Sequence, residues 1–249
     1  MISAGCGPVG SFVMATDAAV TATLASAGYD FVVIDREHGP NDIRSTIGHI
    51  RAAEANRTIP LVRVLENNPG QIQATLDAGA HGIVVPKVGS AAEAAAALKA
   101  SRYERGGRGM CPAVEAARWS AGDTWAEHRR SSNENVIVVP LIETRAGIDS
   151  LRDIAAVDGI DFVFFGLADL AQDLGIDMYG DVGRLVDIWN EAVEVVHEQG
   201  ARIGAPLGYG FEGGDFGTVE SDLTLLKSAA VAGLARHRDA TSRTPANGA

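Results

Sequence analysis

The chain has 249 residues, a formal net charge of −11, 46% hydrophobic and 21% charged residues. That length suits one α/β barrel or two small domains, and the balance is that of a soluble globular protein. The acidic charge argues against nucleic acid and acidic membranes as partners, and the scarcity of aromatics argues against base-stacking platforms.

The start, MISAGCGPVGSFVM, lacks the basic residues and apolar core of a signal peptide. No apolar run approaches the roughly 20 residues of a membrane helix. Two cysteines, Cys6 and Cys111, make neither a disulfide framework nor a zinc pattern. The expected location is the reducing cytoplasm.

Short apolar runs then recur: VGSFVM (9–14), FVVID (31–35), PLVRVL (60–65), GIVVP (82–86), VIVVPLIE (136–143), DFVFFG (161–166) and ARIGAP (201–206). Runs of this length without polar alternation suit parallel strands buried on both faces. Helical patterns lie between them, at 17–28, 68–80, 90–102 and 182–200, several with a capping residue at one end. This βαβ rhythm, with an eighth strand expected near Gly217 to Glu220, points to a TIM (β/α)8 barrel. No GxGxxG follows the first strand, so no nucleotide cofactor is expected. The polar stretch 103–135 reads as an insertion after strand 4, expected at the barrel mouth as a lid or oligomer contact. One barrel domain is expected over 1–240, with a disordered tail over 241–249.

In such a barrel the active site lies at the C-terminal ends of the strands. Strand 2 delivers Asp35, Glu37 and His38; strand 3 carries Arg63; strand 4 delivers Lys87; strand 5 Glu143; and strand 6 leads through Gly166 to Asp169. Glu143 and Asp169 lie one βα unit apart, so both carboxylates can reach one ion; two acidic ligands with open positions suit Mg²⁺ or Mn²⁺. The competing reading makes them helix caps. Arg63, mid-strand, needs either a carboxylate partner or an anionic ligand. His38 can serve as a general base oriented by Asp35, although a single strand-end histidine does not distinguish that role from a structural one. Lys87 can form a Schiff base with a ketone, or only balance the acidic cluster.

Six segments in register carry a family likeness: GYDFVVIDREHGPND, LVRV, LDAGAHGIVVPKVGSAAEA, the RY…G-RG segment, LIET and GLADLAQDLG. Together, from Val9 to Gly175, they resemble the HpcH/HpaI aldolase family of class II, metal-dependent pyruvate aldolases, which includes 4-hydroxy-2-oxoheptanedioate and 2-dehydro-3-deoxyglucarate aldolases. The resemblance implies a barrel of the phosphoenolpyruvate/pyruvate-binding type that cleaves a 4-hydroxy-2-oxo acid to pyruvate and an aldehyde. It implies that Glu143 and Asp169 hold Mg²⁺ or Mn²⁺ (Co²⁺ being a further candidate), and that the amides of Gly166, Leu167 and Ala168 receive the pyruvate carboxylate at a helix start. It also implies that His38 moves a proton, that Arg63 neutralises the enolate oxygen, and that Asp35 and Asp77 lie near the site. Phe12 stands at a strand 1 position that is often Trp in the family. A homo-oligomer, trimer or hexamer, with the site near a subunit interface, is implied as well.

The chain departs from the family pattern in reading GLADLA for G-P-ADLS, and Tyr103-Glu104-Arg105 for Tyr-Pro-Pro. The region after Pro206 is short and Gly-rich, so a shortened seventh and eighth unit is expected, with barrel closure in question. Two other functions stay open: a citrate-lyase-β-like acyl-CoA lyase, and a catalytically weak barrel that binds an oxo acid.

Overall fold

A computed structural model describes residues 7–121 and 124–242. Among these residues eight strands form a closed, all-parallel barrel in sequential order. The chain runs β1 (Val9–Val13), α1 (Ala19–Ser26), β2 (Phe31–Asp35), α2 (Ile43–Ala55), β3 (Ile59–Arg63), α3 (Pro69–Asp77), β4 (Gly82–Val85) and α4 (Ala91–Ser101). A 3₁₀ turn (Glu115–Ser120) and α5 (Trp125–Asn135) follow, then β5 (Ile137–Ile142), α6 (Arg145–Asp149), α7 (Leu151–Ala155), β6 (Phe162–Phe165) and α8 (Leu167–Leu174). The last elements are α9 (Val182–Glu198), β7 (Arg202–Pro206), β8 (Phe216–Val219) and α10 (Asp222–Ser242).

Successive side chains of a strand point to opposite faces, and the apolar runs divide accordingly. Phe31, Val33, Leu61, Val84, Val139, Leu141 and Phe164 cluster inside the barrel. Val32, Ile34 and Val62 pack outward against α1 and α2, and Ile83, Val85, Val138, Ile142, Val163 and Phe165 belong to the larger shell under the other helices. Gly10 admits this filling: a Cβ there would meet the Phe31 ring at 2.3 Å.

The barrel closes despite the short seventh unit. No helix joins β7 to β8; the loop 207–215 makes the return, with Gly208, Gly210 and Gly213 at positive φ. Phe211 from this loop packs at a tilt against Trp189 and edge-on against Phe165, and the Trp189 indole Nε1 donates to Glu212 O at 2.7 Å. β8 pairs with both β7 and β1. Helix α10 continues to Ser242, two residues into the tail expected to be disordered; 243–249 lie outside the described residues, as does Cys6. Among the described residues no helix is long and apolar enough to cross a membrane.

The insertion is not at the mouth. It follows α4, not β4, and a helix antiparallel to its strand returns the chain to the face where strands begin. Arg108 there holds Asp77 at 2.6 Å and lies over the Tyr103 ring, which packs edge-on against Trp125 and His128. A cavity of about 720 Å³ opens on this same face between the starts of β3, β4 and β5 and the insertion.

At the opposite end, buried Asp222 ties α10 to the exit of β1, accepting Met14 N–H at 2.9 Å and Ala15 N–H at 3.0 Å. Asp222→Ala leaves both amides without that acceptor, at a cost of about 2 kcal/mol. The expected result is a lower urea midpoint with an unchanged m-value, partly recovered by Asp222→Asn.

Candidate active site

Asp35 ends β2 and Arg63 ends β3, and the two are register partners on the inner face. Arg63 grips Asp35 with two hydrogen bonds, Nε to Oδ1 at 2.9 Å and Nη2 to Oδ2 at 2.5 Å. Asp35 has no solvent exposure. Its Oδ1 also accepts the backbone N–H groups of Glu37 (3.0 Å) and His38 (3.3 Å). Burial works against the Arg63 charge, but Asp35, Glu37 and Glu143 outweigh it and raise the pKa. Phe12 lies under the guanidinium at 4.9 Å and meets Phe164 edge-on, forming the apolar floor.

This geometry changes one expected role. The Asp35 carboxylate is engaged by Arg63 and by two backbone amides, so it orients the His38 main chain and not its ring. The carboxylates nearest the imidazole Nε2 are Glu37 and Asp169, each at 3.9 Å.

Glu37, given no role from sequence alone, proves central. Its buried side chain lies 3.2 Å from Arg63 Nη1 and 3.4 Å from Lys87 Nζ, and its Oε2 has no hydrogen-bond partner. The signal was present in the period of two: extending β2 past Asp35 puts residue 37 on the same inner face.

Glu143 follows β5 on the inner face and is 2% exposed. Gly166 makes room for it, since a Cβ there would meet Glu143 Cβ at 2.7 Å and Oε2 at 2.9 Å. Lys87 N–H donates to Glu143 Oε1 at 2.8 Å from a left-handed backbone (φ 54°). The Glu143 pKa is pushed up to about 7, chiefly by burial; Glu37 and Asp169 add repulsion, and the Lys87 amide and Arg63 offset part of it. Neither carboxylate is a helix cap: Thr144 caps α6, and α8 has no side-chain cap. Asp169 instead projects from the first turn of α8.

Two expectations are corrected here. Gly166 N–H donates to Ile142 O at 2.9 Å and is not available to a ligand. Leu167 and Ala168 open α8, and their amides have no intrahelical acceptor. Asp77, the last residue of α3, lies with Arg108 at the face where strands begin, away from this mouth.

Among the described residues no group of three or more His, Cys, Asp or Glu forms a metal cage. The mouth offers instead two carboxylates, Glu143 and Asp169, that repel each other. Hard divalent cations accept such a set and complete their shell with water or substrate oxygens. Charge supports the same fit, because among the described residues Asp35, Glu37, Glu143 and Asp169 are grouped with two permanent cations, Arg63 and Lys87. A divalent cation would make up that difference.

A parallel barrel with acid, base and cation groups gathered at its C-terminal mouth is the layout of a TIM-barrel enzyme. The family profile described as HpcH/HpaI aldolase/citrate lyase matches residues 9–204, and the chain belongs to that family. The hydroxypyruvate/pyruvate aldolase of Agrobacterium fabrum is 46% identical over 159 residues, covering 63% of this chain and 59% of that protein. The chain thus spans less than two thirds of that relative. The enzyme of the same name from Rhizorhabdus wittichii is 36% identical over 217 residues, 83% of this chain and 84% of its own. The crystal structure of a family member from Burkholderia cenocepacia J2315 superposes with a TM-score of 0.86 at 28% identity, covering 94% of this chain and 95% of that one.

Two predictions follow from the buried charges. Arg63→Met strands the Asp35 carboxylate and is expected to cost about 3–5 kcal/mol in denaturant unfolding; adding Asp35→Asn recovers a large part of that loss. Glu143 holds its proton more tightly folded than unfolded. Its contribution is therefore complete below its ordinary pKa of 4.5 and is lost as pH rises through about 7. Thermal midpoints of metal-free protein measured from pH 4.5 to 8 should fall more steeply for the wild type than for Glu143→Gln.

Proposed function

We propose that the chain is a divalent-metal-dependent pyruvate aldolase, cleaving a 4-hydroxy-2-oxo acid to pyruvate and an aldehyde and running the condensation in reverse. The observation that carries this reading is the paired Glu143 and Asp169 beside the buried Arg63. The names of the two aldolase relatives support it. Glu143 and Asp169 would hold Mg²⁺ or Mn²⁺, which supplies Lewis-acid polarisation of the 2-oxo group. Leu167 and Ala168 would direct their amides at the substrate carboxylate, where the helix start favours an anion. Arg63, held by Asp35, stabilises the negative charge that gathers on the C2 oxygen as the C3–C4 bond breaks. His38, at the rim beside Asp169, takes the proton from the 4-hydroxyl as the aldehyde carbonyl forms. That proton, or one from water, then reaches C3 to complete pyruvate. Phe12 keeps the floor dry. Assembly as a trimer or hexamer would cover Leu226, Val231 and Leu234 of α10, which are exposed in the single chain.

Chelation should abolish pyruvate release from 4-hydroxy-2-oxo acids, and added Mn²⁺ or Mg²⁺ should restore it. Glu143→Gln and Asp169→Asn should each lose metal binding by calorimetry while the circular dichroism of the fold is kept. Because Glu143 would have to give up its proton to hold a cation, wild-type metal affinity should rise as pH rises through about 7. Activity that survives chelation, together with borohydride trapping of pyruvate on Lys87, would replace this reading with imine chemistry.

A further inference from the structure

The groups at the mouth divide by depth. Asp35, Arg63, Glu37 and Glu143 have side chains at most about one tenth exposed, whereas His38, Asp169 and Lys87 stand at the rim with 54%, 39% and 61% exposure. A substrate whose oxo-acid end reaches Arg63 and Glu143 must pass the rest of its chain through that rim. His38 is there as the proton carrier, and Asp169 is directed to the cation. Lys87 is the one permanent cation among these three rim groups, and the proposed reaction gives it nothing to do.

We propose that Lys87 selects the aldehyde half of the substrate by receiving an anionic group, a carboxylate or a phosphate, carried beyond C4. This inference rests on the pyruvate-aldolase reading and adds the class of acceptor to it. Its root is fixed: the Lys87 N–H is held by Glu143 Oε1 at 2.8 Å, which puts the side chain beside the reacting centre. The turn does not itself require lysine, because at φ 54° a glycine or asparagine would be less strained. Its ammonium lies 3.4 Å from Glu37 Oε1 and its side chain is 61% exposed, so a group with three N–H donors keeps capacity for an entering anion. A neutral aldehyde tail gains nothing from this cation. An anionic tail of two or three carbons gains a charge-assisted contact.

The test compares three acceptor aldehydes of equal length with pyruvate and Mn²⁺-loaded protein: one ending in a carboxylate, one in a phosphate and one in a neutral amide. The wild type should favour an anionic acceptor in kcat/KM, through KM, and added salt should weaken that preference. Lys87→Met should lower the anionic-to-neutral ratio about fivefold, the scale of an exposed ion pair, and Lys87→Arg should retain it. The carboxylate and phosphate arms decide which anion is read. Calorimetry adds a readout independent of turnover: a 2-oxo dicarboxylate should bind the wild type more tightly than the 2-oxo monocarboxylate of equal length, and Lys87→Met should remove the difference. Turnover with an unchanged ratio in Lys87→Met overturns the inference and leaves the aldolase reading standing. Lys87-dependent binding of the diacid with no aldol product overturns the aldolase reading alone. Failure of both measurements overturns both.

Discussion

The mouth of this barrel is organised by the Arg63–Asp35 pair. Two adjacent strands end on their inner face with opposite charges, in a layer otherwise filled by Phe12, Val84 and Phe164. A carboxylate with no exposure is costly unless its lone pairs are used, and here two guanidinium N–H groups and two backbone amides use them. Such pairs contribute little net stability compared with an apolar core, but breaking one is expensive. The consequence lies in where the chain goes next. Because Asp35 accepts the N–H groups of residues 37 and 38, the loop leaving β2 folds over the guanidinium, placing Glu37 against Arg63 and His38 at the rim.

Position along the depth of the mouth then sets what each group can do. Buried charges lose hydration and are poorly screened from one another, so their proton affinities shift, as that of Glu143 does chiefly through burial and further through Glu37 and Asp169. Rim charges are hydrated and act over short range on whatever enters. On the proposed reaction, recognition of the oxo-acid end would belong to the deep groups and discrimination among acceptors to the exposed ones. Gly166 is the steric condition for this arrangement, since any side chain there would displace the Glu143 carboxylate.

Much of this was legible in the sequence because the physics involved is local and repetitive. Strands buried on both faces read as unbroken apolar runs, so the strands, and the charged residues that end them, fell where expected. The location of 103–135 was not legible in the same way: a residue count shows that a unit is long, but not whether the excess follows its strand or its helix. The partner of each charge was also hidden. Asp35 sits as near to His38 in sequence as to any base it might orient, yet the register partner across the ladder claims its carboxylate. The Gly166 amide was lost for a related reason, because the ladder toward Ile142 continues one residue past the end of β6. Glu37 was within reach of the alternation rule, but a turn signal at Gly39-Pro40 invites the reader to stop counting at Asp35.

The turn after β4 joins these two levels of the site. One backbone N–H, that of Lys87, hydrogen-bonds the deep carboxylate Glu143, and the same residue's side chain reaches the rim and pairs with Glu37. The left-handed conformation that aims the amide inward is unfavourable for a residue with a Cβ, so the bond to Glu143 and the conformation hold each other in place. A change in the state of Glu143, by protonation or by a cation, alters the acceptor strength of the oxygen that fixes this turn. Lys87, proposed to receive the acceptor's tail, is thereby coupled through a single hydrogen bond to the deep carboxylate Glu143, while Glu37 links the same lysine back to Arg63 and Asp35.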